Sequence, residues 1–300
     1  MLFSLIVITY NSGNIIKRCL DALAKTSNAR YEIIVVDNAS FDDTATLVRL
    51  RYPNVRLIVN PKNVGFGAAC NVGIAAAAGD AFVFLNPDVE VLPDWLEHVE
   101  RHFNEYPDAA IICPTTLRPG QARSDQTGVA ESAAGPGCAL ALRRTAWQAI
   151  GGFDPNIFLY WEDTELCWRA WLLGWRVLED FDACVYHEQG ASTRGSRWDA
   201  EAAKNGLYTH IKLRRGRFVA AYMVRMLAKT VVYSTQQRNL SMLNVWWWNT
   251  WKLPTTLRLR RHIFAQRKGE LAKIERLVSI HIERGKRERK ARQLSTTRHE

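Results

Sequence analysis

The sequence predicts an α/β protein, with a Rossmann-like, doubly wound half built on parallel strands and a helical, basic C-terminal region. Three observations carry this expectation. β-branched apolar runs alternate with segments of helical spacing from the first residues onward. Several of the strand-like runs end at Asp, Asn or His, residue types that can serve a ligand at the carboxyl edge of an open parallel sheet. Charge is also divided along the chain: residues 1–210 hold 18 Lys and Arg against 25 Asp and Glu, whereas residues 211–300 hold 22 against 5. The predicted domains follow that division, 1–210 (in halves 1–115 and 116–210) and 211–300.

The elements can be justified in order. Leu5 to Thr9 is a continuous apolar run, as suits a strand buried on both faces. Met1 to Ile8 has neither a basic n-region nor a small-residue cleavage site and ends at a turn, so the segment reads as a first strand and not as a signal peptide. After the turn Tyr10-Asn11-Ser12-Gly13, the residues Ile15, Ile16, Cys19, Leu20 and Leu23 recur at helical spacing. A second strand, Ile33 to Val36, ends at Asp37-Asn38-Ala39-Ser40, where Ser40 is placed to cap a helix through Asp43 in a capping-box arrangement. Val55 to Val59 is a third strand, Gly67 to Ala78 an Ala-rich helix stopped by Gly79-Asp80, and Ala81 to Leu85 a fourth strand. Pro93 and Asp94 open another helix, and Ala109 to Cys113 is strand-like. Ser124 to Gly137, rich in Gly, Ala and Ser, is expected to be a mobile loop acting as a lid, or an ordinary solvent loop. With 47% hydrophobic residues the chain can bury a core, and six scattered cysteines without a C-x-x-C suit a reducing, cytoplasmic setting.

Several positions invite chemistry. Asn86-Pro87-Asp88 closes the fourth strand, so Asp88 is either part of an Asx turn or a carboxylate able to meet a substrate phosphate through a divalent cation. Asp37 can accept hydrogen bonds from a base or ribose, or cap a helix. Asn63-Val64-Gly65-Phe66-Gly67 leads into a helix N-terminus and thus into an anion site, yet it is neither G-x-G-x-x-G nor a P-loop. Between Gly151 and Arg169, four acids (Asp154, Glu162, Asp163, Glu165) stand among five aromatics. Leu166, Ala170 and Leu173 define a helix with Glu162 and Asp163 in its first turn; the helix dipole favours their charge, while aromatic neighbours desolvate them and raise their pKa, as a general base requires. His187 ends a strand as Asp37 and Asp88 do, either as a structural ring or as a metal or phosphate contact.

In the basic third, Phe218 to Tyr233 is apolar apart from Arg225 and Lys229, too short and too charged to span a bilayer. Four tryptophans within Trp246 to Trp251, an amphipathic Leu271-Ile274-Leu277-Val278 pattern and the cationic Arg284 to Arg292 suit attachment to an anionic membrane surface. A homodimer contact or internal packing is the alternative, and no RNP motif or zinc spacing supports nucleic acid.

Taken together, Val7-Ile8-Thr9-Tyr10-Asn11, Val35-Val36-Asp37-Asn38-Ala39-Ser40, Asn63-Val64-Gly65-Phe66-Gly67 with Asn71 and Gly73, Leu85-Asn86-Pro87-Asp88, Gly151-Gly152-Phe153-Asp154, Glu162-Asp163 with Leu166 and Arg169, and His187 stand in the order seen in family 2 glycosyltransferases. Over residues 3–200 the chain resembles the rhamnosyltransferase-like branch. The resemblance implies a GT-A fold with a mixed central sheet, residues 1–115 forming the nucleotide-sugar half and 116–210 the acceptor half. It also implies inverting transfer from a nucleotide sugar, with dTDP-rhamnose as the donor and a lipid-linked or polysaccharide acceptor. Galactofuranosyl or another hexosyl transfer, or a non-catalytic nucleotide-sugar-binding scaffold, are the alternatives. By the same resemblance Thr9, Asn11, Asp37, Asn63, Gly67, Asn71 and Asn86 hold the donor. Asp88 and His187 serve Mg²⁺ or Mn²⁺, Asp163 with Glu162 is the catalytic base, and Asp154, Trp161 and Arg169 meet the acceptor. Asn86 stands where the D-x-D motif has its first Asp, which leaves Asp88 as the main ligand. A glycosidase would need an acid and a second carboxylate flanking the bond, whereas a metal-assisted transfer needs one base. The expected location is the cytoplasm, peripheral on the inner face of the cell membrane.

Overall fold

The structure is a computed structural model that describes residues 1–27, 29–187, 196–236 and 238–296. The first half follows the predicted alternation: β1 (Leu2–Thr9), α1 (Ile16–Leu23), β2 (Arg30–Asp37), α2 (Thr44–Arg51), β3 (Arg56–Val59), α3 (Phe66–Ala76) and β4 (Ala81–Leu85). These strands lie parallel in the order β3-β2-β1-β4, and the register pairs Thr9 with Asp37 and Asp37 with Val59 at the carboxyl edge. Burial on both faces explains the unbroken apolar runs. Leu5 and Val7 face a layer formed by α1, α2 and a later helix, while Ile6 and Ile8 face α3 and the helices of the second half.

The second half turns the sheet mixed. It comprises β5 (Val89–Val91), α4 (Trp95–Glu105), β6 (Ala109–Leu117), β7 (Val129–Glu131), β8 (Ala139–Arg143), α5 (Arg144–Ile150), α6 (Glu162–Leu172) and β9 (Arg176–His187). From β4 the sheet continues through β8, β6, β9 and β5, with β7 paired to β9; β8 runs antiparallel to both β4 and β6. The expected loop at Ser124 to Gly137 is therefore not wholly loop, since β7 lies inside it and is tied to the sheet. Its three residues alternate too briefly to register as a strand in sequence.

The remaining helices are α7 (Ser196–Leu213), α8 (Gly216–Thr235), α9 (Leu243–Ala265) and α10 (Leu271–Thr296). α7 runs unbroken across residue 210. The amphipathic face expected to lie on a membrane in α10 is instead covered: Ile274, Leu277 and Val278 are buried in the main core with residues of α6. The capping box expected at Ser40 is also absent. Ser40 turns back to Asp37, and α2 begins at Thr44 with Asp42 Oδ1 accepting the Thr44 N–H at 3.0 Å. All six cysteines are buried free thiols.

Candidate active site

A cleft of about 780 Å³ opens beyond the carboxyl edge of the parallel strands, the usual place for a ligand in such a sheet. Thr9, Asn11, Asn38, Asn63, Asn86 and Asp88 border it from the first half. Tyr160, Trp161, Glu162, Asp163, His187 and Trp198 border it from the second.

On the first side, asparagine amides tie the strand ends together. Asn38 Nδ2 donates to Asn63 Oδ1 at 2.9 Å, while Asn38 Oδ1 accepts from Asn60 Nδ2 and from the Val64 N–H, each at 3.1 Å. Asn38 was readable as a strand-end residue, but its organising place in this network depends on three loops that only the fold assembles. Asp37 does not reach the cleft. It is fully buried, with Oδ2 accepting the Ser40 N–H and Oδ1 the Ser40 hydroxyl, and Ser40 Oγ in turn accepts the Asn11 N–H at 2.8 Å. Asp37 thus shapes the Asn11 turn, in which Asn11 adopts φ 51°. The anion site expected at the start of α3 is occupied by protein. The Phe66 N–H donates to Phe158 O at 2.9 Å, and a Cβ on Gly65 (φ +88°) would lie 2.4 Å from that carbonyl. Gly67 and Asn71 also stand off the cleft: a Cβ on Gly67 would lie 2.9 Å from Phe153 Cβ, and the Asn71 amide bonds the Phe153 N–H and C=O, both at 2.9 Å.

Asp88 and His187 meet through sheet pairing. Antiparallel β5 and β9 set Val89 opposite His187, and this register brings His187 Nε2 to 3.2 Å from Asp88 Oδ2. Burial opposes a charge on the ring, yet hydrogen bonds to Asp88 and Cys138 carry the His187 pKa up to about 10. Both side chains are about one-sixth exposed and border the cleft: Asp88 offers a carboxylate to a divalent cation, and His187 would offer a ring nitrogen once the cation's charge displaces its proton, with the Asn86 amide nearby in sequence. A separate group, His102, Asp180 and Asp182, brings possible ligand atoms within 4.8 Å of one another. It is spent on structure: His102 Nδ1 lies 2.8 Å from Asp180 Oδ2, Asp180 Oδ1 accepts the Asp182 and Ala183 N–H groups, and Asp182 Oδ1 accepts that of Gly128. These bonds hold the irregularity in β9 beside β6.

The second side is built on the first turn of α6. Tyr160 (φ 66°) and Trp161 (φ 76°) both adopt the left-handed conformation immediately before it, an unfavourable pair for residues with Cβ atoms. Asn205 of α7 holds that turn, its Nδ2 donating to Leu159 O at 2.8 Å and Tyr160 O at 3.2 Å. The turn delivers Glu162 and Asp163 to the cleft. Burial, reinforced by the Asp163 charge, pushes the Glu162 carboxyl up to about 8, and burial also raises Asp163 against the hydrogen bonds it accepts from Thr164. Gly137 approaches so closely that a Cβ there would lie 2.8 Å from Asp163 Oδ2. Two buried atoms of the cleft residues, Thr9 Oγ1 and Glu162 Oε2, have no hydrogen-bond partner within the protein, as befits groups that a polar ligand would engage.

Asp154 and Arg169, expected at the acceptor, lie behind the cleft. Lys212 Nζ donates to Asp154 Oδ2 at 2.5 Å and to Glu165 Oε1 at 2.7 Å, Arg169 binds both Glu165 oxygens, and Tyr208 OH donates to Asp154 Oδ2 at 2.6 Å. Two acids and two bases balance here, which is why charges can be buried. Gly137 closes the segment expected to be a lid or a solvent loop and does border the cleft, whereas nothing local in the sequence marked Trp198 as a cleft residue.

The nucleotide-type half-sheet, the mixed extension and a carboxylate-bearing cleft between them define a GT-A fold. Residues 4–173 match glycosyl transferase family 2, and the chain belongs to that family. Over 310 aligned residues it is 25% identical to N-acetylglucosaminyl-diphospho-decaprenol L-rhamnosyltransferase of Mycobacterium tuberculosis, covering 87% of this chain and 92% of the relative. Similar solved folds include S. aureus TarS 1-349 in complex with UDP (TM-score 0.60, 19% identity, 82% of this chain and 78% of that one). They also include the mannosyltransferase PcManGT from Pyrobaculum calidifontis with GDP-Man and Mn²⁺ (TM-score 0.59, 19% identity, 94% and 79%).

Proposed function

We propose that this glycosyltransferase is an inverting, cation-dependent enzyme that moves L-rhamnose from dTDP-rhamnose to a polyprenyl-diphosphate-linked acceptor at the inner face of the cell membrane. The observation that carries the mechanism is the meeting of two groups in one cleft, the Asp88–His187 pair and the desolvated Glu162–Asp163 pair. The name of the mycobacterial relative supports the sugar and the acceptor class.

Thr9, Asn11, Asn38, Asn63 and Asn86 supply the polar wall for the nucleotide, and Asp37 keeps the Asn11 turn in place. Asp88 and His187, with Asn86 as a neutral oxygen donor, would hold Mg²⁺ or Mn²⁺, whose charge offsets that of the departing diphosphate. Asp163 takes the proton of the acceptor hydroxyl as that oxygen bonds to the sugar C1; the C1–O bond to the diphosphate breaks, and its electron pair leaves with the nucleoside diphosphate. Glu162, its proton retained by burial, donates a hydrogen bond at neutral pH. Trp161, Tyr160 and Trp198 offer aromatic faces for the acceptor.

The test is a panel of nucleotide sugars offered to purified protein with Mg²⁺ or Mn²⁺ and a sugar-diphospho-polyprenol acceptor, read as nucleoside diphosphate release and product mass. Turnover with dTDP-rhamnose and inversion at C1 are expected. Turnover restricted to another donor would refute the rhamnosyl assignment.

A further inference from the structure

Among the described residues, the largest run of exposed apolar surface lies on the hairpin of α8 and α9. Both helices pack on α7 through Met226, Met242 and Val245, and each shows a second apolar stripe outward. Val224, Leu227 and Val231 repeat at helical spacing on α8, and Leu243, Trp247 and Trp251 on α9. Trp247 is 75% exposed and Trp251 67%, although tryptophan is costly to leave in water. No helix of the described residues is long and apolar enough to cross a membrane.

The charge around these stripes is one-sided. Residues 202–269 contain 14 Lys and Arg and no Asp or Glu. Arg225 and Arg238 flank the α8 stripe, and Arg258 and Arg261 continue the α9 stripe towards its C-terminal end, all four exposed. A symmetric self-contact would set this surface against itself, cation facing cation, with the nearby acid Asp199 already engaged by Tyr233 and Lys229. Exposed Trp and aliphatic residues rimmed by Arg match instead the boundary of an anionic bilayer, where indole rings settle at the headgroups and guanidinium groups meet phosphates.

The surface also adjoins the cleft. Tyr233 of α8 donates to Asp199 Oδ2 at 2.6 Å, beside Trp198 on the cleft wall, and the Tyr222 ring packs edge-on against Trp161 at 6.0 Å. From this juxtaposition we infer that the outer face of the α8–α9 hairpin docks on an anionic phospholipid bilayer and holds the cleft mouth at the height of a lipid-linked diphosphate. The inference rests on the proposed lipid-linked acceptor for its purpose, but the docking can be measured without any transfer.

The full chain is sedimented with vesicles of phosphatidylglycerol and phosphatidylcholine, and with phosphatidylcholine alone. Binding is expected to the anionic vesicles and to weaken as salt rises. Combined Leu227→Ser, Trp247→Ser and Trp251→Ser substitutions, all at exposed positions, should lower the vesicle partition coefficient roughly tenfold or more while the thermal midpoint stays unchanged. Arg258→Gln with Arg261→Gln provides a second variant that keeps the apolar stripes and should lose binding to anionic vesicles only. Equal partitioning of wild type and both variants overturns the inference. So does a wild-type dimer in sedimentation equilibrium that the triple variant converts to monomer, which would make the face a contact between copies. Salt-sensitive vesicle binding without transfer from any donor leaves the docking intact and defeats the proposed reaction instead.

Discussion

Glu162 and Asp163 are neighbours on one helical turn, yet they are not equivalent. Glu162 is buried with one oxygen unpartnered, whereas Asp163 is half-buried, accepts from Thr164 and faces Gly137. Two like charges so placed cannot both ionise freely, and Glu162 is the one that burial leaves protonated. Asp163→Asn is therefore expected to lower kcat by about 10²–10⁴-fold with donor affinity retained, as steady-state kinetics and calorimetric titration can establish. Loss of donor binding in that variant would contradict the base role. Glu162 makes a different prediction. Its folded pKa lies above the ordinary carboxylate value, so the stability tied to its proton is full below about 4.5 and is lost as pH rises through about 8. Glu162→Gln, which cannot ionise, should gain stability relative to wild type at pH 9 but not at pH 4, read as the difference in Tm. At this scale the sequence was informative: acids among aromatics at a helix start foretold raised pKa values. It could not tell which acid keeps its proton, because that depends on how deeply each is buried and on the contacts Asp163 makes with Thr164 and Gly137.

At the scale of elements, helix and strand spacing placed most of the first half correctly, since each apolar run was buried by its own periodicity. The short strands β5 and β7 escaped because three residues carry no period, and their partner β9 is distant in sequence. Asp154 and Arg169 show the same limit. Their motif looked like an acceptor site, but α7 sends Lys212 and Tyr208 into it and converts it to a buried ionic brace. Lys212→Met should destabilise the fold by about 3–5 kcal/mol in denaturant unfolding, because it leaves Asp154 and Glu165 buried with less compensating charge. An unchanged midpoint would count against the brace. Asn205→Ala tests the left-handed turn at Tyr160 and Trp161: removing its two bonds to that turn should lower kcat more than it lowers donor affinity, since the turn aims Glu162 and Asp163.

For the whole molecule, the cleft exists because two sheet halves of different strand direction meet at β4 and β8. The residues proposed to hold the donor arrive from the parallel half and the acids from α6, so the proposed chemistry draws on parts that neither half holds alone. Chelating divalent cations is expected to weaken dTDP-rhamnose binding to wild type and to leave Asp88→Ala unaffected. Calorimetric titration with and without chelator decides it, and a wild type indifferent to chelator would remove the metal assignment from Asp88 and His187.

By itself the sequence determined the α/β class, the four-strand parallel half, the carboxyl-edge position of Thr9, Asp37 and Asp88, and the basic helical third. Those follow from local periodicity and charge, which need no partner to be read. Only the tertiary structure decided that Asp37 turns inward to Ser40, that His187 meets Asp88 through the β5–β9 register, and that Asp154 and Arg169 are braced away from the cleft. It likewise decided that α10 is covered while α8 and α9 keep apolar faces outward. The physical reason is common to all four: a side chain's role depends on what burial and pairing bring beside it, and, apart from Ser40 beside Asp37, those neighbours lie tens of residues away along the chain.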